Sequence, residues 1–295
     1  MKHKEAFLNY LKNQKRYSIH TVRSYTDDLE QFYAFLGISF RDDEAICEVS
    51  HKLIRNWIVQ LMENKLSTRS VNRKISTLKS YFKFLQKAGY ITKNPAKLVT
   101  TPKNTKQLPS FVGVSQMDIL LNNVEFGDDF SGRRNRLIID MFYHTGMRLS
   151  ELINLRIVNI NIDDLSLKVT GKRNKERVIP ITSGLRQSIN DYIIERNKLD
   201  IDKNEFLFIT KKGKKLYAKL VYRIVNNYLT LVTTIDKRSP HIIRHTFATH
   251  MLNAGADLNA IKEILGHANL SATQVYTHNT FEKLKAIYKQ AHPRA

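Results

Sequence analysis

Four short stretches in the second half of the chain hold residues able to act on a phosphate, and each also has an ordinary structural reading. In HTGMRLSELINLR (144–156), Arg148 follows a glycine and opens an amphipathic helix. Glu151, three residues on, shares its face and can brace the guanidinium; an exposed ion pair would look the same. In Gly171-Lys172-Arg173-Asn174-Lys175, Lys172 sits at a turn from which it can swing toward a leaving oxygen, or simply be solvated. In SPHIIRHTF (239–247), Ser239 reads as an N-cap and Pro240 as the first helical residue, so His241 and Arg244 share a face of the first turn. Free amides and the helix dipole attract anions there; capping and packing are the alternative. In LGHANLSATQVYTH (265–278), Gly266 stops a helix, His267 follows it, and Ser271 caps a short helix bearing Tyr276. A phenol can serve as a nucleophile, although one tyrosine among 13 and one imidazole near a helix end are more often packing groups.

The elements that must position these residues are mostly helical. Apolar periodicity predicts helices over 3–14, 18–36, 50–63 and 67–88. Ser18 and Ser67 are their candidate N-caps, and Gly37 and Gly89 sit where helices should stop. ITKNPAKLVTTPKNTKQLPS, with Pro95, Pro102 and Pro109, reads as an extended basic linker. Further helices are expected over 115–123 and 131–144. The runs LSLKVTG (165–171) and ERVIPIT (176–182), separated by KRNK, read as a β-hairpin, and FLFIT (206–210) is a candidate third strand. After residue 216 the pattern is helical again. The fold expected is mainly α with a small antiparallel sheet.

The 295 residues suit about two domains, and a formal net charge of +21 points to a polyanion. Residues 51–107 hold 13 basic residues and a single acid, Glu63. Within them Val71, Ile75, Leu78, Phe82 and Leu85 mark the apolar side of a helix whose cations are Arg69, Arg73, Lys74, Lys79 and Lys83. One-sign faces suit phosphate tracking, whereas solubilising faces mix signs; these five are the expected DNA-binding residues. No apolar run reaches about 18 residues, so membrane insertion is not expected. The start of the chain lacks the features of a signal peptide. Cys47 is the only cysteine, which excludes an intrachain disulfide or a Cys-based zinc site and fits a reducing cytoplasm. Neighbouring acids should raise its thiol pKa.

Weak singly, the four stretches in this order resemble the tyrosine recombinase (phage integrase) family, whose Arg, Lys, His-x-x-Arg, Leu-Gly-His and Tyr positions are all matched, by Arg148, Lys172, His241, Arg244, His267 and Tyr276. The resemblance spans essentially the whole chain. It is strongest to the Xer-type site-specific recombinases through LSTRSVNRKISTLKSYFKFL (66–85), LPSFV (108–112) and the terminal HPRA. It implies a helical, SAM-like core-binding domain over 1–101, a linker over 102–110 and an α+β catalytic domain over 111–295. Tyr276 would then attack a scissile DNA phosphate to give a 3′-phosphotyrosyl link. Arg148 and Arg244 would clamp nonbridging oxygens, Lys172 would protonate the leaving 5′ oxygen, and His241 and His267 would assist proton transfer, either one taking the tyrosyl proton. No cofactor is implied; the sequence has no GxxxxGK[ST] loop and no acidic metal cluster. The implied partners are a double-stranded recombination site, a homo- or hetero-tetramer with a second Xer-type recombinase working through a Holliday junction, and a DNA translocase as activator. The last helix, about 281–290, would dock on a neighbouring protomer. The implied role is chromosome dimer resolution. Other outcomes are integration or resolution of a mobile element, DNA relaxation by a type IB topoisomerase, and DNA binding without catalysis.

Overall fold

The computed structural model describes residues 3–39, 43–103, 110–171, 174–199, 204–266 and 278–294. The chain divides into two compact units, Met1–Gln107 and Leu108–Ala295. Among the described residues, no helix is long and apolar enough to cross a membrane.

The first unit is all helical: α1 (His3–Asn9) running on into a π-helical turn (Tyr10–Gln14), α2 (Ile19–Leu36), α3 (Asp43–Cys47), α4 (His51–Glu63) and α5 (Thr68–Lys87). The caps follow the local sequence. Ser18 accepts from the Thr21 amide and Ser67 from the Ser70 amide, both at 3.3 Å, which satisfies donors the helix leaves open. Gly37 ends α2 in the left-handed conformation. Val71, Ile75, Leu78, Phe82 and Leu85 of α5 are all fully buried, each contributing about 1.5–3 kcal/mol by leaving water. They meet Phe7, Leu29, Phe32 and Trp57, and the Tyr33 and Tyr81 hydroxyls pair inside at 2.8 Å. α3 was not anticipated. Its Cys47 thiol is raised first by burial, then by Asp43 and Glu48.

In the second unit come α6 (Val114–Asn122), α7 (Phe130–Thr145), α8 (Leu149–Asn154), strands β1 (Ile160–Asn161), β2 (Ser166–Thr170) and β3 (Glu176–Pro180), then α9 (Ser183–Asn197), α10 (Ala218–Thr230), α11 (Pro240–Asn253), α12 (Leu258–Leu265) and α13 (His278–Ala291). α7 is the central helix, with Leu137 through Tyr143 buried. The sheet has the order β1-β2-β3, antiparallel throughout. The hairpin closes with the Gly171 amide donating to the Lys175 carbonyl at 2.7 Å.

The third strand is not FLFIT. Leu207, Phe208 and Ile209 are fully buried, but the segment makes only isolated bridges, Arg156 with Phe206 and Ile209 with Lys215. Ile160–Asn161 reaches β2 through the short turn at Asp163 and Asp164 and takes the edge instead. A continuous apolar run records burial on all sides, not ladder pairing. In this single chain, Leu284, Tyr288 and Ala291 of α13 are buried in the core of their own unit, and the Tyr288 hydroxyl donates to the His144 carbonyl at 3.0 Å.

Candidate active site

Arg148 occupies the N-cap of α8, two residues beyond the left-handed Gly146 that ends α7. A Cβ at Gly146 would stand 2.5 Å from Phe247 of α11, so the absence of a side chain lets the end of α7 meet the helix that carries Arg244. Glu151 braces Arg148 as its spacing predicted. Its carboxylate accepts the Arg148 amide at 2.7 Å, half of a capping box, and Nη1 at 2.8 Å. This is no surface ion pair, because Glu151 is 2% exposed.

The reason for that burial was missed in the sequence. Arg177, in β3, donates through Nη1 and Nη2 to both Glu151 oxygens at 2.8 and 2.9 Å. It is opposite Val169 in the register and faces the core with Leu167 and Ile179. The signal was present: in ERVIPIT, Arg177 alternates with Ile179 and Ile181, so a strand that buries the isoleucines buries the arginine too.

Arg244, in the first turns of α11, donates to the Gly146 carbonyl at 2.6 Å and the Leu265 carbonyl at 2.8 Å. His241 lies one turn earlier and is exposed. Ser239 holds the N-cap position with Pro240 after it, although the serine side chain makes no capping bond.

Three arginines thus converge on the end of one helix. Arg177 Nε donates to the Ile264 carbonyl at 2.6 Å, Arg244 Nη2 to Leu265 and Arg148 Nη2 to Gly266 at 2.9 Å. These are consecutive carbonyls at the C-terminus of α12, where the helix leaves acceptors unpaired and carries partial negative charge. Gly266 is left-handed, and a Cβ there would press on the Arg177 guanidinium at 3.1 Å.

The charge balance suits an anion. Burial alone would raise the Glu151 carboxyl; the bonds and charge of Arg177, with those of Arg148, outweigh it and hold the group at about 2. Arg244 is pressed down to about 10 by burial and then by Arg148 and Arg177. Among the described residues Arg148, Arg177 and Arg244 repel one another around Glu151, and an added phosphate would relieve that repulsion. Such forks suit bidentate recognition of phosphate oxygens.

The structure brings Arg148 and Arg244 together with His241 one turn from Arg244. Lys172, His267 and Tyr276 lie outside the described residues. Their described neighbours border the site: a Cβ at Gly171 would be 3.3 Å from Glu151 Oε1 and 3.7 Å from Arg148 Nη1, and Gly266 precedes His267.

In the first unit, Arg69, Arg73 and Lys83 are exposed and Lys79 is half-buried on α5. Lys74 corrects the sequence reading. It is 3% exposed, its ammonium bonded to Asp28 at 2.9 Å and Gln31 at 2.6 Å, which leaves it unable to reach a DNA backbone in this arrangement. It sits between Val71 and Leu78 on the apolar side, at i−3 and i+4, so helical geometry turns it inward.

Known families and structures match this chain along its length. The family described as "Phage integrase family" matches residues 111–283, and "Phage integrase, N-terminal SAM-like domain" matches 5–89. A protein named tyrosine recombinase XerC from Staphylococcus epidermidis is 38% identical over 291 residues, covering 99% of this chain and 97% of that one. A namesake from Pelobacter propionicus is 37% identical over 290 residues, covering 98% and 95%. The crystal structure of the XerH site-specific recombinase bound to difH substrate, a pre-cleavage complex, has a TM-score of 0.70 at 21% identity, covering 97% of this chain and 84% of that one; at that identity it speaks for the fold alone.

Proposed function

Since the chain belongs to the phage integrase family and is a tyrosine recombinase, a DNA-cleaving and rejoining enzyme, we propose that Tyr276 is its nucleophile and that Arg148, Lys172, His241, Arg244 and His267 complete its active site. The observation that carries this reading is the convergence of Arg148 and Arg244, distant in sequence, on the carbonyls just before His267.

The chemistry follows from charge. A phosphodiester repels nucleophiles, so its nonbridging oxygens must be neutralised before the Tyr276 phenol can attack. Arg148 and Arg244 present donors fixed in advance by Glu151, Gly146 and the end of α12, and fixed donors need no reorganisation as charge builds up. The Tyr276 oxygen bonds to phosphorus, the bond to the 5′ oxygen breaks, and the product is a 3′-phosphotyrosine with a free 5′-hydroxyl. The phenolic proton passes to His241 or His267. Lys172 gives its proton to the departing 5′ oxygen, which a guanidinium would do poorly. The covalent link conserves the bond energy, so the 5′-hydroxyl of a second duplex can attack it and exchange strands.

Arg69, Arg73, Lys79 and Lys83 hold the duplex backbone. The chain works as a homo- or hetero-tetramer through a Holliday junction, in the cytoplasm, resolving chromosome dimers, with a translocase as activator; the name shared by its relatives supports this Xer-type reading. The test is to incubate the chain with nicked duplexes and sequence the DNA held in the covalent complex. The expected result is an SDS-resistant adduct at one site with palindromic arms. Its absence would sink the assignment of Tyr276.

A further inference from the structure

Arg177 belongs to none of the six expected active-site positions. Yet it is 5% exposed and its donors reach two of the elements around the site. Nη1 and Nη2 grip Glu151, which holds Arg148 by side chain and backbone; Nε holds Ile264, two residues before Gly266. Its own strand, β3, is one arm of the hairpin whose other arm ends at Gly171, beside Glu151 and just before Lys172. No other described residue bonds both Glu151 and the end of α12 while belonging to the hairpin.

We propose that Arg177 is a positioning residue for DNA cleavage: it sets the Arg148 guanidinium through Glu151 and locks the Lys172 hairpin to the end of α12. The inference rests on the recombinase reading. Arg148 alone holds Glu151 only within α8, through its amide on one carboxylate oxygen and Nη1 on the other, with no tie to the hairpin or to α12. The bidentate fork of Arg177 supplies that tie, with both Nη on Glu151 and Nε on Ile264. A lysine at 177 would keep the charge but lose the planar fork, so this substitution separates charge from geometry. A small displacement of a group that must meet a phosphate costs on the order of 10²-fold in rate.

The test uses the full-length chain on a nicked duplex carrying the site recovered from its own covalent adduct. Single-turnover cleavage, duplex affinity and thermal unfolding are measured for Arg177→Met, Arg177→Lys and Arg148→Ala. Each is repeated on a duplex with a methylphosphonate at the scissile position, which removes the charge that Arg148 neutralises. The expected result is a loss of about 10²-fold in cleavage for Arg177→Met, a near-normal duplex affinity, and a smaller deficit on the methylphosphonate, as for Arg148→Ala. Arg177→Lys stays impaired and carries the same comparison if Arg177→Met does not fold. Normal cleavage by both Arg177 variants overturns the proposal. So does a loss of cleavage matched by an equal loss of affinity, or a deficit that persists undiminished on the methylphosphonate while that of Arg148→Ala shrinks. Failure of the unaltered chain to form any adduct is a separate outcome, which overturns the recombinase reading and this proposal with it.

Discussion

Each unit of this protein buries one carboxylate between two cations, and the two clusters serve different ends. In the first, Asp28 is fully buried and accepts from Arg73, from Lys74 at 2.9 Å and from the Thr77 hydroxyl at 2.8 Å. The Lys74 ammonium also bonds Gln31, and Arg73 bonds the Ser24 carbonyl, so both cations tie α5 to α2, while the Arg73 side chain stays 46% exposed. In the second, Glu151 accepts from Arg148 and Arg177, but those arginines send further donors to the carbonyls that end α12. There a third guanidinium, Arg244, lies close to the other two, its nitrogens on the Gly146 and Leu265 carbonyls. The lesson is that a buried ion pair does not announce its purpose. What distinguishes staple from site is where the remaining donors point: in the first unit back onto α2, in the second onto the end of a helix that three arginines share.

The largest expected effect lies beside the second cluster. Tyr276→Phe should abolish the covalent adduct on a denaturing gel while leaving duplex affinity near that of the unaltered chain; a surviving adduct would remove the site from this end of α12. Next, Arg148→Ala or Arg244→Ala should slow single-turnover cleavage by about 10²–10³, or 2.7–4 kcal/mol, with a much smaller change in duplex affinity. Lys74→Met should do the opposite. Breaking a buried pair costs about 3–5 kcal/mol in stability, and because Arg73 remains on Asp28 the low end applies, while cleavage per folded molecule stays unchanged. If Lys74→Met impairs cleavage and Arg148→Ala impairs folding, the contrast between staple and site is wrong.

The units should also part in acid. His144, His250 and His292 are buried in the second unit and held below the ordinary imidazole value by burial first, His292 down to about 3. The unfolded chain binds protons at these positions from about pH 6.5 downward, and the folded chain resists them. Their neutral packing is therefore intact above pH 6.5 and loses stability as pH falls toward 3. Glu151 adds a second loss between 4.5 and about 2, where its ion pairs are protonated away. Trp57, the sole tryptophan, lies in the first unit. Far-ultraviolet circular dichroism should therefore report acid unfolding before Trp57 fluorescence does, and coincident transitions would contradict the assignment.

The smallest effect concerns the α5 surface. Arg69→Ala and Lys83→Ala should each reduce the slope of log affinity against log salt by about 0.9, without altering cleavage at saturating DNA. Lys74→Met should leave that slope alone, and a change there would return Lys74 to the DNA-facing set.

Much of the fold was legible because helices are set by local spacing and local caps. The steps of three and four in α5, the Ser18 and Ser67 caps and the Gly37 stop all appear where the sequence puts them. α3 was too short to show periodicity, and FLFIT misled because β and buried coil share an apolar run. At the site, the i+3 brace of Arg148 by Glu151 was readable for the same local reason. Arg177 was passed over because a charged residue in a β run is usually read as solvent-facing, and its alternation with Ile179 and Ile181 was the only hint.

By itself, then, the sequence determined the helical elements, the basic bias and the kinds of side chain available for phosphate chemistry. These follow from residue type and from neighbours within a turn or two. Only the tertiary structure decided which cations serve a ligand and which serve the fold. Arg148 meets Gly266 across 118 positions and Arg244 meets Gly146 across 98. Lys74 turns to an aspartate 46 positions away. Local spacing turns Lys74 inward between Val71 and Leu78, but which partner it meets, like the partners of Arg148 and Arg244, depends on how whole helices and the hairpin pack.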